Sequence, residues 1–458
     1  MSTERADVFV IGGGGTGSDV TTGLLDAGGY SVAMAERDAL GGECANYGCD
    51  PTKAMLKAAK LAAWARKADA YGIRVPTVEV DFPAVMDRVR RLIDKETSRG
   101  ARPYTDRGAR VFMQEARLLG ERRVELADGT AFETERVVLT TGTAASPPPI
   151  EGLSDRAGPD GWWSNREAIW TERLPSSLLI LGTGPIGLEF GQIFARFGVR
   201  VTMVELFDRI LIAEDADAAA ALRPALEADG IRFVVGARTK RAERNGHGWT
   251  LSLDDGRSFS AQRLLVATGR HPVLDVHDLP ASGVELDGAG KPVLGETLRT
   301  TNPSIWAAGD VTGELLFTHV GGYEAGIVVA DIDGRARARD YRVVPRVTFT
   351  EPEVASVGLT EEQAWQAGHE VKVGIARFRD STRAFIEGEQ EGIVKLVADA
   401  VTGEVLGGHV VGENAGELVH QVVAVMASRS PTKAVADAIH AYPTWSQSLR
   451  AAWQDLVR

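Results

Sequence analysis

The sequence predicts an α/β fold in which one strand–glycine loop–helix–strand plan occurs twice and an α+β segment follows. Three observations predict it. Residues 7–11 and 177–181 are apolar strands that each run into a G-x-G-x-x-G turn and a helical stretch. Each copy then closes on a second apolar strand that ends in a glutamate, Glu36 in the first and Glu205 in the second. Beyond Arg335 the character changes, with antiparallel strands expected over 341–357 and 391–411 and helices over 416–427 and 431–440.

The glycine spacing has a physical reason. In the first copy, Gly12 makes the tight turn, Gly14 lets the backbone approach a pyrophosphate, and Gly17 lets helix pack on strand. Gly182, Gly184 and Gly187 repeat this in the second copy. Phosphates sit at the positive end of the following helix, and the acid receives ribose hydroxyls. A single such motif is weak, but two in the same context predict two Rossmann-type dinucleotide-binding domains with a C-terminal α+β domain. Residues 136–141 and 263–268 read as strands followed by Gly142 and Gly269, and 304–308 reads as a strand ending in Gly309-Asp310. Residues 153–175, rich in Trp, Pro and Gly, read as a linker. The expected divisions are 1–150, 151–270, 271–340 and 341–458, the first and third forming one domain.

Composition narrows the function. The 458 residues are 44% hydrophobic and 25% charged, ordinary for a globular chain. A net charge of −12 argues against nucleic acid or anionic membranes as partners. The N-terminus lacks a secretory pattern and no apolar run is long enough to span a bilayer, so the cytoplasm is the expected location.

Only two cysteines occur, Cys44 and Cys49. Cytosolic chains rarely keep disulfides for structure, and so short a loop would add only about 2 kcal/mol. A zinc site needs further ligands, and no histidine is near. Asp50-Pro51 is expected to open a helix, with Asp50 as N-cap and Pro51 as first residue. Cys49 would then lie just before a helix N-terminus, which favours a thiolate, while the neighbouring Asp50 opposes it. Gly41, Gly42 and Gly48 allow the backbone to bend and to approach a flat ligand.

The stretch Gly41-Gly42-Glu43-Cys44-Ala45-Asn46-Tyr47-Gly48-Cys49-Asp50-Pro51-Thr52-Lys53 resembles the redox signature of the FAD-dependent pyridine nucleotide–disulfide oxidoreductases. That family includes dihydrolipoamide dehydrogenase, glutathione reductase and mercuric reductase. The resemblance extends to both glycine motifs, to Ala267-Thr268-Gly269-Arg270, to Ala307-Ala308-Gly309-Asp310 and to the segment from Phe349 to Gly358. It implies electron flow from a nicotinamide cofactor through FAD to a redox disulfide of Cys44 and Cys49. Cys49 would face the flavin as the thiolate and Cys44 would be the interchange thiol. Lys53 would approach the flavin and pair with Glu189. Gly12, Gly14, Gly17, Glu36 and Asp310 would hold FAD, with further cofactor contacts implied for Gly42, Glu43, Lys53, Ala116, Thr141, Gly142, Thr318 and His319. Gly182, Gly184, Pro185, Ile186, Gly187, Glu205 and Gly269 would serve the nicotinamide dinucleotide. A carboxylate at Glu205 favours NAD, and Arg209 leaves NADP open. The family's site is completed across a homodimer.

One segment departs from the family. Where its disulfide reductases carry His-Pro-Thr-x-x-Glu, this chain has Tyr442-Pro443-Thr444-Trp445-Ser446-Gln447. An ordinary tyrosine titrates at about pH 10 and is a poor base at pH 7. Mercuric reductases and soluble transhydrogenases resemble the chain in having Tyr there, yet the former carry extra cysteines and the latter usually lack the full pair. His440 lies two residues earlier and reads as structural, with Tyr442 and His440 both left as candidates for the proton donor. Three functions stay open: a thiol-dependent reductase of a small-molecule disulfide or other sulfur-bound substrate, a thiol-independent flavin enzyme with a quinone, metal-ion or nicotinamide acceptor, and a non-catalytic flavin subunit or redox sensor.

Overall fold

The computed structural model of the chain describes residues 3–154, 157–246, 248–275 and 277–458. They divide into two compact units, one of Met1–Thr52, Met86–Ser146 and Gly269–Asp340, the other of Lys53–Val85, Pro147–Thr268 and Tyr341–Arg458.

The first unit is built on a seven-stranded sheet. Arg110–Phe112, Val32–Ala35, Thr3–Ile11 and Ala131–Leu139 pair in parallel in that order, and Ile305–Ala307 also pairs in parallel with Ala131–Leu139. Arg123–Leu126 and Ala116–Leu118 extend the sheet as antiparallel strands. Val8, Phe9 and Val10 are all fully buried, as expected of a strand covered on both faces. On one face Val20 and Leu24 of the helix Gly15–Ala27 pack with Ile327 and Val328 of the helix Thr318–Ile332. On the other, Phe9 meets Phe132 edge to face at 5.0 Å. Thr143–Ala145 and Arg270–Pro272 form a separate antiparallel pair.

The second unit contains a parallel four-stranded sheet ordered Arg232–Val234, Arg200–Val204, Ser177–Leu181 and Arg263–Val266. The helix Pro185–Arg196 buries Leu188, Phe190, Ile193 and Phe194. An antiparallel three-stranded sheet follows, and then a five-stranded antiparallel sheet ordered Pro345–Thr348, Glu353–Gly358, Val405–Gly412, Ile393–Asp399 and Val371–Arg377. The helices Ala415–Ser428 and Ser446–Val457 contribute Val419, Val422, Leu449 and Trp453 to its core, where Phe378 stacks on Trp445 at 5.0 Å.

Two expectations are corrected. Residues 157–175, read as linker, are packed structure: Trp162 and Trp163 are buried, and the Trp163 backbone N–H donates to Leu264 O at 2.7 Å. Within it, Asn165–Ile169 is a helix opened by a capping box between Ser164 and Glu167. The helix expected over 431–440 is only Thr432–Ala436, because the apolar face ends at Ala436 and Ile439 is 99% exposed. Among the described residues, no helix is long and apolar enough to cross a membrane.

Candidate active site

The first glycine loop leaves the central strand at Gly12, whose φ of 110° suits glycine; a Cβ there would lie 2.3 Å from Thr140 O. A Cβ on Gly17 would lie 1.9 Å from Gly12 O, so the helix Gly15–Ala27 rests directly on the turn. No side chain caps that helix, which leaves its first N–H groups available to an anion. Glu36 Oε2 accepts the Gly13 N–H at 2.7 Å, and Oε1 accepts that of Asp38 at 2.8 Å. A Cβ on Gly42 would lie 2.7 Å from Gly14 Cα, so the cysteine segment crosses the loop backbone to backbone.

Asp310 follows the strand Ile305–Ala307 and takes the Thr143 hydroxyl at 3.2 Å. Burial pushes its carboxyl up; Arg270 and Thr143 pull it down, and Glu43 raises it. Arg270 in turn donates to the Thr143 hydroxyl at 2.8 Å and to Thr143 O at 2.9 Å, and lies 3.5 Å from Glu43. A buried carboxylate, an uncapped helix start and a glycine cradle fit the hydroxyls and pyrophosphate of FAD. Elsewhere in this unit, the Thr141 hydroxyl donates to Val273 O at 2.7 Å, and Gly142 and Gly269 have φ of 69° and 142°. Ala116 is buried in its strand, and His319 stacks on Phe317 at 5.4 Å.

The second loop repeats the first. A Cβ on Gly182 would lie 2.5 Å from Ala267 O, and one on Gly187 2.4 Å from Gly182 O, whereas Gly184 faces open space. Pro185 opens an uncapped helix, and Ile186 is 37% exposed. Glu205 Oε2 accepts both the N–H and the hydroxyl of Thr183 at 2.8 Å, and Oε1 accepts the Phe207 N–H at 3.0 Å. Arg209 is turned away to carbonyls, donating to Leu211 O at 3.1 Å, Glu214 O at 3.0 Å and Ile212 O at 3.1 Å. This loop fits a nicotinamide dinucleotide.

The cysteine segment differs from expectation in one respect. Gly42–Tyr47 is itself a short helix, and the next helix, Cys49–Arg66, begins at Cys49 rather than at Pro51. The Thr52 N–H reaches Gly48 O at 3.0 Å, which starts the helical pattern before Asp50 can cap it. Asp50 becomes a first-turn acid, and Pro51 sits where no intrahelical N–H is needed. Both cysteines are free thiols, and the Cys44 side chain is in hydrogen-bond reach of that of Cys49. That hydrogen bond, then burial and the charge of Cys49, push the Cys44 thiol far up; Thr318 opposes this and Asp50 adds to it. The Thr318 hydroxyl is 3.3 Å from the Cys44 sulfur and 3.5 Å from that of Cys49.

In the second unit, Lys53 Nζ lies 2.7 Å from Glu189 Oε2, and Glu189 Oε1 accepts the Phe349 N–H at 3.0 Å. The ammonium also sits 4.5 Å from the centre of the Phe349 ring. In the tail, Tyr442 is 69% exposed, Gln447 stands in the first turn of Ser446–Val457, and His440 Nδ1 lies 3.3 Å from Ala438 O.

Sequence reasoning missed Thr143, Arg270 and Phe349 as parts of these networks, and the contact of Thr318 with both sulfurs. Cys44, which Thr318 meets, and Thr143, which Arg270 meets, lie more than a hundred residues away from them in the chain, where no local pattern signals the contact.

Comparison with known proteins bears on the whole chain. The family described as pyridine nucleotide-disulphide oxidoreductase matches residues 6–326, and its dimerisation domain matches 344–453. The chain is 33% identical to a mercuric reductase of Bacillus cereus over 97% of its own length and 70% of that protein's. It is 34% identical to a dihydrolipoyl dehydrogenase of Chlorobaculum tepidum, covering 99% of this chain and 97% of the other. Among solved structures, the Cu(II) complex of the HOCl-induced flavoprotein disulfide reductase RclA from Escherichia coli superposes with a TM-score of 0.88 at 27% identity, covering 99% of both chains.

Proposed function

The chain belongs to the pyridine nucleotide-disulphide oxidoreductase family, and from that premise we propose that it reduces a disulfide or other sulfur-bound substrate through Cys44 and Cys49 without the family's histidine acid. It is an oxidoreductase whose cofactors are FAD and NAD(P)H. The observation that carries the proposal is the pair of adjacent free thiols, both in contact with the Thr318 hydroxyl.

The chemistry a bound flavin supplies is two-electron transfer from reduced nicotinamide to a disulfide. Gly12, Gly14, Gly17, Glu36 and Asp310 would hold that group, with Gly42, Glu43, Thr143 and Arg270 shaping its surroundings. The Cys44 thiolate attacks one sulfur of the substrate disulfide and forms a mixed disulfide, expelling the first thiolate. The Cys49 thiolate then attacks the Cys44 sulfur, releasing the second thiolate and closing the Cys44–Cys49 bond. Both products take protons from water, and Tyr442, supplied by the second copy of a homodimer, offers a hydrogen bond rather than a base. Turnover is therefore fastest with substrates whose leaving thiols are acidic.

NADH is the preferred donor. Glu205 repels a 2′-phosphate, and Arg209, the candidate counter-charge, is already bonded to three carbonyls.

The test is anaerobic. NADH added to the oxidised holoenzyme must expose both cysteines to alkylation, and Cys49→Ser must abolish disulfide turnover. A variant lacking both cysteines that still turns over with quinones, Cu(II) or Hg(II) would shift the assignment to thiol-independent flavin chemistry. The exposed Tyr442 at the histidine position favours including that arm.

A further inference from the structure

The reactivity of Cys44 poses a problem that the family-like parts of the site leave unsolved. Cys44 must lose its proton to attack a substrate, yet its hydrogen bond to Cys49, its burial and the nearby charges of Cys49 and Asp50 all keep that proton on. Tyr442 stands where the family carries the histidine that would remove it. Cys49, first residue of an eighteen-residue helix, is the better placed of the two to carry negative charge. Left to these groups alone, the pair would rest with its charge on Cys49 and its proton on Cys44.

One polar group acts the other way. Thr318 opens the helix Thr318–Ile332, and its hydroxyl lies 3.3 Å from the Cys44 sulfur and 3.5 Å from the Cys49 sulfur. A hydroxyl has one proton to donate, so it serves one sulfur at a time. Its methyl group faces Gly15, where a Cβ would stand 3.9 Å away, so the first glycine helix leaves the side chain room on that side.

The geometry points to Thr318 as a third member of the thiol centre, whose hydroxyl moves its hydrogen bond between the two sulfurs and so gives Cys44 a share of the thiolate. No bond is made or broken at Thr318. When the shared proton passes from Cys44 to Cys49, the hydroxyl turns from the Cys49 sulfur to the Cys44 sulfur and stabilises the charge where attack begins. A hydrogen bond to an ionised sulfur is stronger than one to a thiol, and this difference drives the turn.

This inference rests on Cys44 and Cys49 being the reacting pair, and its test needs neither nicotinamide nor substrate. The flavin-loaded protein, with its thiols kept reduced by a phosphine that is then removed, is pulsed with iodoacetamide at pH 7. Labelling at Cys44 and at Cys49 is counted by peptide mass spectrometry. Thr318→Val and Thr318→Ala should lower the Cys44-to-Cys49 labelling ratio by about tenfold, and Thr318→Ser should stay within about twofold of the parent. Two hydroxyl-free variants of different size separate loss of the hydroxyl from a packing defect, and flavin content and melting temperature show whether each has folded. A ratio unchanged in both hydroxyl-free variants, or one that falls as far in Thr318→Ser, overturns the role of Thr318. Disulfide turnover that survives in Cys49→Ser would instead overturn the relay itself.

Discussion

Glu189 is bound at both oxygens, one by the Lys53 ammonium at 2.7 Å and the other by the Phe349 N–H at 3.0 Å. The carboxylate side chain is 5% exposed, while that of Lys53 is 34% exposed. Removing the lysine would strand a buried charge with a single backbone donor. Lys53→Met should therefore lower stability by about 1–3 kcal/mol, and adding Glu189→Gln should recover much of it. Thermal melts of the two single variants and the double variant give the coupling. Purely additive losses would mean the pair contributes nothing jointly.

The carboxylate of Glu205 braces its loop through Thr183 and Phe207. Glu205→Ala should cut kcat/KM for NADH by about tenfold and narrow the NADH-over-NADPH preference by at least as much. Arg209→Ala should leave the preference as it is, because that guanidinium is committed to carbonyls. Steady-state rates with both nucleotides decide this. A preference that moves in Arg209→Ala would show that the side chain turns toward the phosphate.

His277 gives the first unit a pH dependence. Its Nδ1 accepts the Leu118 N–H at 3.2 Å, and burial holds the ring down to about 4, with Arg37 lowering it further against Asp275 and Glu115. The folded value lies below the ordinary histidine value of 6.5, so the unfolded chain takes up the proton first as pH falls. The stabilisation is complete above about pH 6.5 and is lost on acidification towards pH 4, by about 3 kcal/mol in all. Melting temperature measured from pH 7 to pH 4 should fall less steeply in His277→Asn, which keeps an acceptor but does not titrate there. Parallel curves would remove His277 as the cause.

Lys395 is 3% exposed and meets three carboxylates, Asp215 at 3.0 Å, Asp217 at 2.7 Å and Glu361 at 2.6 Å. Asp215 is also the N-cap of the helix Ala216–Ala228, so one ammonium fastens that helix to the five-stranded sheet. Lys395→Met should destabilise the second unit by about 3–5 kcal/mol, because Asp215 stays buried without its partner. A melting temperature within a degree or two of the parent would contradict this.

The parts of the site legible in the sequence are those fixed by short-range geometry. Gly12 and Gly182 announce their turns because no side chain fits beside Thr140 O or Ala267 O. Glu36 and Glu205 announce themselves by closing equivalent strands. The cysteine helix starts before the strong local signal of Asp50-Pro51, because the Gly48 carbonyl engages first. The capping box at Ser164 and Glu167 was present as S-x-x-E but hidden by the surrounding Trp and Gly. Thr318, Arg270 and Phe349 left no local trace, since each acts on groups brought near only by the fold.

Cys44 and Cys49 are the only thiols in the chain, and one hydroxyl touches both. A thiol-reactive tag can therefore report only on this centre, with no silent background to subtract. The mass of the intact tagged chain, taken directly from a lysate quenched in acid, would read how much of the protein was oxidised at the moment of sampling. The protein carries its own gauge.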